Sequence, residues 1–253
     1  MRKKTVELDD QTRDTLLRSK IEGCNLCLPG QLPRDEYMRV AKAIEAAGGK
    51  WNRKAGCHVF PGDVRKTLNI EADTVEVVDV QQTWQAFYTP PELAEAMVER
   101  AFAKTNGRLR VLEPSAGTGR LIDAIGMRLD WDVDITAVEL NPAYASGLRM
   151  KYATVNVYEA DFLQLDKDAL GEFDVVVMNP PFTGGQDEAH IRHALRMLKM
   201  NGRLVAICGN GPRQREQLRS VADSWIDLAP GTFKESGTCV NTAMLIATKS
   251  FDL

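Results

Sequence analysis

From Arg110 onward, short apolar runs alternate with stretches whose apolar residues recur at helical spacing. RVLEPSA reads as a strand and GTGRLIDAIGMRL as a helix; VDITAVEL is a strand and NPAYASGLRMKY a helix. VNVYEA and FDVVVMN are two more strands, QDEAHIRHALRMLK a helix, and GRLVAICG a strand. The helical PRQREQLRSVADSW and two β runs, WIDLAPGTF and TAMLIATK, complete the pattern. Such alternation predicts an α/β fold: a Rossmann-like, seven-stranded, mostly parallel sheet with helices on both faces. Its connections should be right-handed crossovers, and its ligands should sit at the carboxyl ends of the strands. Earlier residues read differently. RDEYMRVAKAIEAAG predicts a helix stopped by Gly48-Gly49, and GGKWNRKAGCHVFPGDV a short hairpin. Residues 1–82 thus form a small N-terminal α/β appendage, with a polar, partly disordered tail through about Lys20. Residues 83–253 form the main domain.

Composition narrows the class. The chain has 253 residues, 44% hydrophobic and 26% charged, as in ordinary globular proteins. A net charge of −3 gives no global pull toward polyanions, so any such contact must be local. No apolar run approaches membrane-spanning length, and MRKKTVELDDQTRD has no apolar stretch that would make it a signal peptide. Five scattered cysteines suit a reducing compartment. The expectation is a cytoplasmic protein without a membrane partner.

Candidate chemistry falls at the strand ends. LEPSAGTGRL places Glu113, Pro114, Ser115, Gly117 and Gly119 between the first strand and its helix. Glycines there let the backbone turn tightly and approach a ligand. The next strand ends in AVELNP, with Glu139 and Leu140 at its tip, where dinucleotide-binding folds keep a ribose-binding acid. Ile122 replaces the third glycine of the dinucleotide fingerprint, and Glu113 would repel phosphate while attracting a cation. A nucleoside with a positively charged amino-acid tail fits this combination, and S-adenosylmethionine is such a molecule. EADFLQL then offers Asp161 to an adenine amine and Phe162 to the ring, although the pair reads equally as a turn with a core anchor.

The run FDVVVM ends in Asn179, Pro180, Pro181 and Phe182. Consecutive prolines remove backbone donors and restrict Asn179 before them. The Asn179 amide oxygen and the Pro180 carbonyl are thereby set up as fixed acceptors, with Phe182 as a stacking face. Two such acceptors suit a planar NH₂ group whose lone pair must be aimed at an electrophile.

Together these segments resemble S-adenosylmethionine-dependent class I methyltransferases that modify amines, especially the N6-adenine DNA methyltransferases of the NPPF type. The likeness runs from about Gln85 to the C-terminus. QAFYTPPELAEAMVERA is similar to the family's segment before the first strand, which implies that Phe87, Tyr88, Thr89 and Pro90 touch the cofactor's methionine part. GTFKESGTCVNTAMLIA resembles a late segment whose aromatic helps hold a flipped base, which singles out Phe233. The tetrapeptide begins with Asn, a form shared with RNA adenine-N6 or guanine-N2 methyltransferases and with glutamine-amide methyltransferases. Those substrates stay open, as does a non-catalytic nucleic-acid-binding or anti-restriction protein that retains the fold.

Such enzymes usually carry a target-recognition insertion, and none follows NPPF here. Recognition is expected from the appendage, from loops, or from a partner or second copy. Trp51, Arg53 and Lys54 in the hairpin and Arg213 and Arg215 after the fifth strand are candidate contacts for DNA or RNA. The glycine-rich TGGQDE suits a loop that closes over substrate. Cys24, Cys27, Cys57 and His58 have zinc-ligand chemistry, but neighbours on one strand point to opposite faces, so no metal is expected.

Overall fold

The structure is a computed structural model that describes residues 5–60, 62–70, 75–78, 89–103, 107–127, 132–233 and 240–250. The chain divides into two compact units: Met1–Ala86 with Ser146–Leu148, and Phe87–Ala145 with Arg149–Leu253. The expected boundary at Gln82–Thr83 lies outside the described residues.

In the first unit, β1 (Thr5–Val6) pairs antiparallel with β6 (Val77–Val78). Between them run α1 (Asp10–Arg18), β2 (Lys20–Glu22), β3 (Asn25–Cys27), α2 (Arg34–Ala46), β4 (Lys50–Asn52), β5 (Cys57–Val59) and α3 (Val64–Thr67). An antiparallel sheet of order β2-β3-β5-β4 is built over Leu16, Leu26, Val40, Ile44, Phe60 and Leu68. The expected polar tail is a correction: Asp10–Arg18 is helical. Asp9 caps it by accepting from Thr12 N at 2.6 Å, and Leu16 is fully buried. Polar contacts do much of the anchoring, since Gln11 and Thr15 donate to the buried Glu36 carboxylate at 2.8 and 2.7 Å. A helix held this way shows little apolar periodicity.

The second unit begins its described course with α4 (Pro91–Phe102), which starts with Pro91 and buries Ala94, Met97, Val98 and Ala101. Then follow β7 (Leu109–Glu113), α5 (Arg120–Gly126), β8 (Val133–Glu139), α6 (Pro142–Lys151), β9 (Asn156–Glu159), α7 (Lys167–Leu170), β10 (Phe173–Met178), α8 (Gln186–Met197), β11 (Leu198–Gly209), α9 (Pro212–Leu218), β12 (Ser224–Asp227) and β13 (Thr242–Thr248). All seven β runs read from the sequence are strands of one sheet, ordered β12-β13-β11-β10-β7-β8-β9. Pairings from β9 across to β11 are parallel, and β13 is antiparallel to both its neighbours. Phe173, Val176, Met178, Leu204, Ala206 and Leu245 belong to a core that the sheet shares with Ile191 and Leu195 of α8. Strand order reverses between β7 and β10, where an open parallel sheet leaves its ligand crevice.

Candidate active site

Parallel pairing carries the carboxyl ends of β7, β8, β9 and β10 to one rim, and Glu113, Glu139, Asp161 and Asn179 all stand there. The glycine turn after β7 is tightly drawn. Gly117 and Gly119 take φ of 54° and 83°, a region open to glycine at no steric cost. Gly119 N donates to Ala116 O at 2.8 Å, and the Tyr152 hydroxyl donates to Asp123 Oδ1 at 2.7 Å and lies 2.9 Å from Gly119 O. A β-carbon at Gly117 would meet nothing within 4 Å, so the turn borders open space.

Two buried carboxylates flank that turn. Glu139 accepts from Gly117 N at 2.6 Å and from Asn141 N at 2.7 Å, which fixes both of its oxygens. Burial pushes its pKa up to about 7, against the pull of those backbone donors. Glu113 is 2% exposed, and its Oε2 is buried with no hydrogen-bond partner among the described residues. Burial, then the Glu139 and Asp123 charges, holds its pKa well above the carboxylate range. A lone buried carboxyl oxygen is costly unless something completes it, and a cation would do so.

Asp161 caps the short turn Phe162–Gln164 by accepting from Leu163 N at 3.0 Å. Phe162 is 2% exposed and belongs to the core cluster, its ring edge-on to His193 at 4.7 Å. The core-anchor alternative is therefore its position in the fold. Leu140, 42% exposed, follows Glu139 at the strand tip, whereas Pro114 is buried.

Asn179 donates from Nδ2 to Thr89 Oγ1 at 3.0 Å, uniting the segment before α4 with the tip of β10. Phe87 and Tyr88 lie outside the described residues; Thr89 is buried and Pro90 half-buried. Beyond Asn179, Pro180 is buried and Pro181 half-buried. Phe182 packs edge-on against Phe233 with centroids 5.9 Å apart, and the two rings keep only 8% and 1% exposure. The loop then passes through Gly184 and Gly185, with φ of 67° and 77°, into α8.

The candidate basic contacts divide. Arg213 is largely exposed and lies over Gly185, 3.6 Å from Glu188. Arg215 is bound up within the unit: its guanidinium grips Asp227 at 2.9 and 3.2 Å and lies over Trp225, 5.8 Å from the ring centroid. Trp51 is 56% exposed, and Arg53 and Lys54 are exposed beside it on the β4–β5 hairpin. Among the described residues, no group of three or more His, Cys, Asp or Glu is placed to hold a metal ion, and no helix is long and apolar enough to cross a membrane.

His190 was missed from the sequence. It is buried on the inward face of α8, with Nδ1 3.4 Å from Ser115 Oγ and its ring 5.8 Å from Phe162. Burial drives its pKa down to about 4, opposed by the Asp161 charge, so the imidazole is neutral near pH 7. The available signal was its spacing: it shares a helical stripe with Ile191, Ala194 and Met197. Nothing local pointed to Tyr152 or Asp123, whose hold on the glycine turn is a long-range pairing.

Residues 94–225 match the methyltransferase small domain family. No curated protein sequence matches the chain. Among solved structures, the type I restriction-modification methyltransferase subunit from Streptococcus thermophilus has a TM-score of 0.57 at 22% identity, over 65% of this chain and 45% of that one. A Listeria monocytogenes protein assigned to the class I S-adenosylmethionine-dependent methyltransferases gives 0.51 at 16% identity, over 68% and 66%. A Pyrococcus horikoshii protein assigned as an RNA methyltransferase gives 0.52 at 17%, over 66% and 88%. The chain thus spans under half of the first subunit's length and 66% of the second protein's. These similarities establish the shared fold. With the family match covering more than half of the sequence, the chain belongs to the methyltransferase small domain family, whose methyl donor is S-adenosylmethionine.

Proposed function

We propose that the protein is an N-methyltransferase acting on a planar exocyclic NH₂ group, with adenine N6 in DNA as its substrate. The observation that carries this reading is Asn179 at the tip of β10, its amide nitrogen engaged by Thr89. With that end taken, the amide oxygen is the end that accepts from a substrate N–H. The Pro180 carbonyl, followed by a second proline, is the other acceptor. Two acceptors on one NH₂ hold both hydrogens and favour a more tetrahedral nitrogen, with its lone pair turned outward.

The Oε2 of Glu113, without a hydrogen bond among the described residues, would take the donor's ammonium group, Glu139 its ribose and Asp161 its adenine amine. When bound, the donor would supply a sulfonium methyl whose carbon the amine lone pair attacks directly, the neutral thioether leaving with the C–S electron pair. One N–C bond forms as one C–S bond breaks, and the methylated nitrogen sheds one proton. Asn179 is an amide and cannot take that proton, which passes to water. No protein nucleophile is required. Cys208, fully buried on β11, has its thiol pushed far up by burial and is unsuited to that role.

Arg213, largely exposed beside the proposed catalytic loop although ion-paired with Glu188 at 3.6 Å, supports a phosphate-bearing substrate. So do the names of two structural neighbours, one from a restriction-modification system and one assigned to RNA methylation. The test is to express the protein and its Asn179→Ala variant, digest cellular DNA, RNA and protein, and quantify methylated products. N6-methyladenine in DNA that vanishes with the variant is the expected result. Methylation confined to RNA, or to glutamine amides, overturns the choice of substrate.

A further inference from the structure

The first unit carries a surface that methyl transfer does not explain. β4 is an edge strand of its four-stranded sheet and exposes Lys50, Trp51 and Asn52. Trp51 keeps 56% of its surface open to solvent, yet its ring is held in place. It packs edge-on against His58, its partner across the ladder, with centroids 5.2 Å apart. His58 is 2% exposed, and its Nδ1 is buried without a hydrogen bond among the described residues. A buried imidazole is thus the floor on which an exposed indole stands.

The hairpin tip is equally ordered. The Asn52 side-chain oxygen accepts from the backbone of Lys54 at 2.9 Å and of Ala55 at 3.1 Å. Gly56 N donates to Asn52 O at 2.9 Å and takes a φ of 65°. Arg53 and Lys54 stand exposed on this tip, and from Lys50 to Gly62 the chain has no acidic residue.

A scattered surface tryptophan needs no explanation. This one is oriented by a buried ring, sits at a sheet edge and is followed, one residue on, by two exposed cations. An acidic peptide would use the cations and leave the indole idle. An apolar protein partner would use the indole and leave the cations uncompensated. A nucleic-acid strand uses both, because its bases stack on aromatic faces while its phosphates seek cations.

We propose that the β4–β5 hairpin is a binding site for single-stranded nucleic acid, with an unpaired base stacked on Trp51 and the adjoining phosphates on Arg53 and Lys54. This deepens the methyltransferase reading by naming the chemistry of the strand the protein holds, and it rests on that reading only for its purpose.

Fluorescence anisotropy of the full chain with labelled oligonucleotides, without methyl donor, tests it. Trp51→Ala should weaken single-strand binding about 5- to 100-fold, and Trp51→Phe, which keeps a ring, should recover most of the loss. Joint Arg53→Glu and Lys54→Glu substitution should lower the slope of log affinity against log salt by roughly one to two. Each variant should bind the donor and melt as wild type does. Equal affinity of wild type and Trp51→Ala overturns the proposal. So does a loss that Trp51→Phe does not restore, or a duplex bound as tightly as the single strand. Strand binding through Trp51 in a protein that methylates no nucleic acid would sink the proposed activity and leave this site standing.

Discussion

The amide nitrogen of Asn179 donates to the Thr89 hydroxyl at 3.0 Å, although 90 positions separate the two residues. A side-chain amide has one donor end and one acceptor end, so engaging the nitrogen decides which end would meet the proposed substrate. Asn179→Ala should cut methyl transfer by more than about 100-fold and leave donor affinity nearly unchanged. Thr89→Val keeps the volume and removes the hydroxyl; it should lower kcat roughly 5- to 10-fold, the worth of one neutral hydrogen bond. Single-turnover kinetics beside donor titration would check both, and a Thr89→Val enzyme with full turnover would count against the arrangement.

Protonation of the rim should be linked to donor binding. The Glu139 pKa is about 7 in the folded protein, against 4.5 for an ordinary glutamate. A carboxyl with a raised folded pKa holds its proton longer when folded than when unfolded. Its contribution to donor-free stability is therefore complete below about pH 4.5, is lost as pH rises to about 7, and stays constant beyond. Glu113 is shifted in the same direction. A cationic ligand favours the ionised carboxylates, so the donor-induced rise in Tm should be larger at about pH 8 than at about pH 6. Glu139→Gln should flatten the difference, and an equal rise at both pH values in wild type would refute the linkage.

Phe233 meets the ring of Phe182 edge-on and, on the proposed reading, steadies the loop that carries Asn179. At 1% exposure it is core, and Phe233→Ala should cost about 3 kcal/mol in urea unfolding. Phe233→Met keeps most of the volume and should cost less than about 1.5 kcal/mol, while still slowing turnover because the edge-on contact is gone. Unchanged turnover in the Met variant would reduce Phe233 to a packing residue.

Gly185 is constrained twice, by a φ of 77° and by a guanidinium that a β-carbon would meet at 2.6 Å. Gly185→Ala should lose about 1–2 kcal/mol of stability. Adding Arg213→Ala removes the collision and leaves the backbone strain, so the double variant should recover part of the loss. A double-mutant cycle showing no coupling would place Arg213 elsewhere in solution.

Much of the site was legible, because the rim of a parallel sheet is defined by where strands end. Glu113, Glu139 and Asn179 each follow an apolar run, and the parallel pairing of β7, β8 and β10 carries them to one rim, with Glu113 beside Ala137, two residues short of Glu139. Phe162 was ambiguous for a local reason: the turn capped by Asp161 decides whether its ring meets the crevice or the core. Arg215 looked like an open cation until the chain returned as β12 and brought Asp227 to it. The helix Asp10–Arg18 escaped notice because a buried Glu36 from another helix anchors it.

By itself, the sequence determined the strand–helix alternation, the seven strands and which side chains stand at their tips. Hydrophobic period, glycine turns and paired prolines act over a few residues, and local spacing records them. Only the tertiary structure decided which groups meet: Asn179 with Thr89, Phe182 with Phe233, Trp51 over His58. Those pairings arise when packing closes distances that no local pattern encodes, and burial then sets what each group can do, as in leaving one Glu113 oxygen without a hydrogen bond among the described residues.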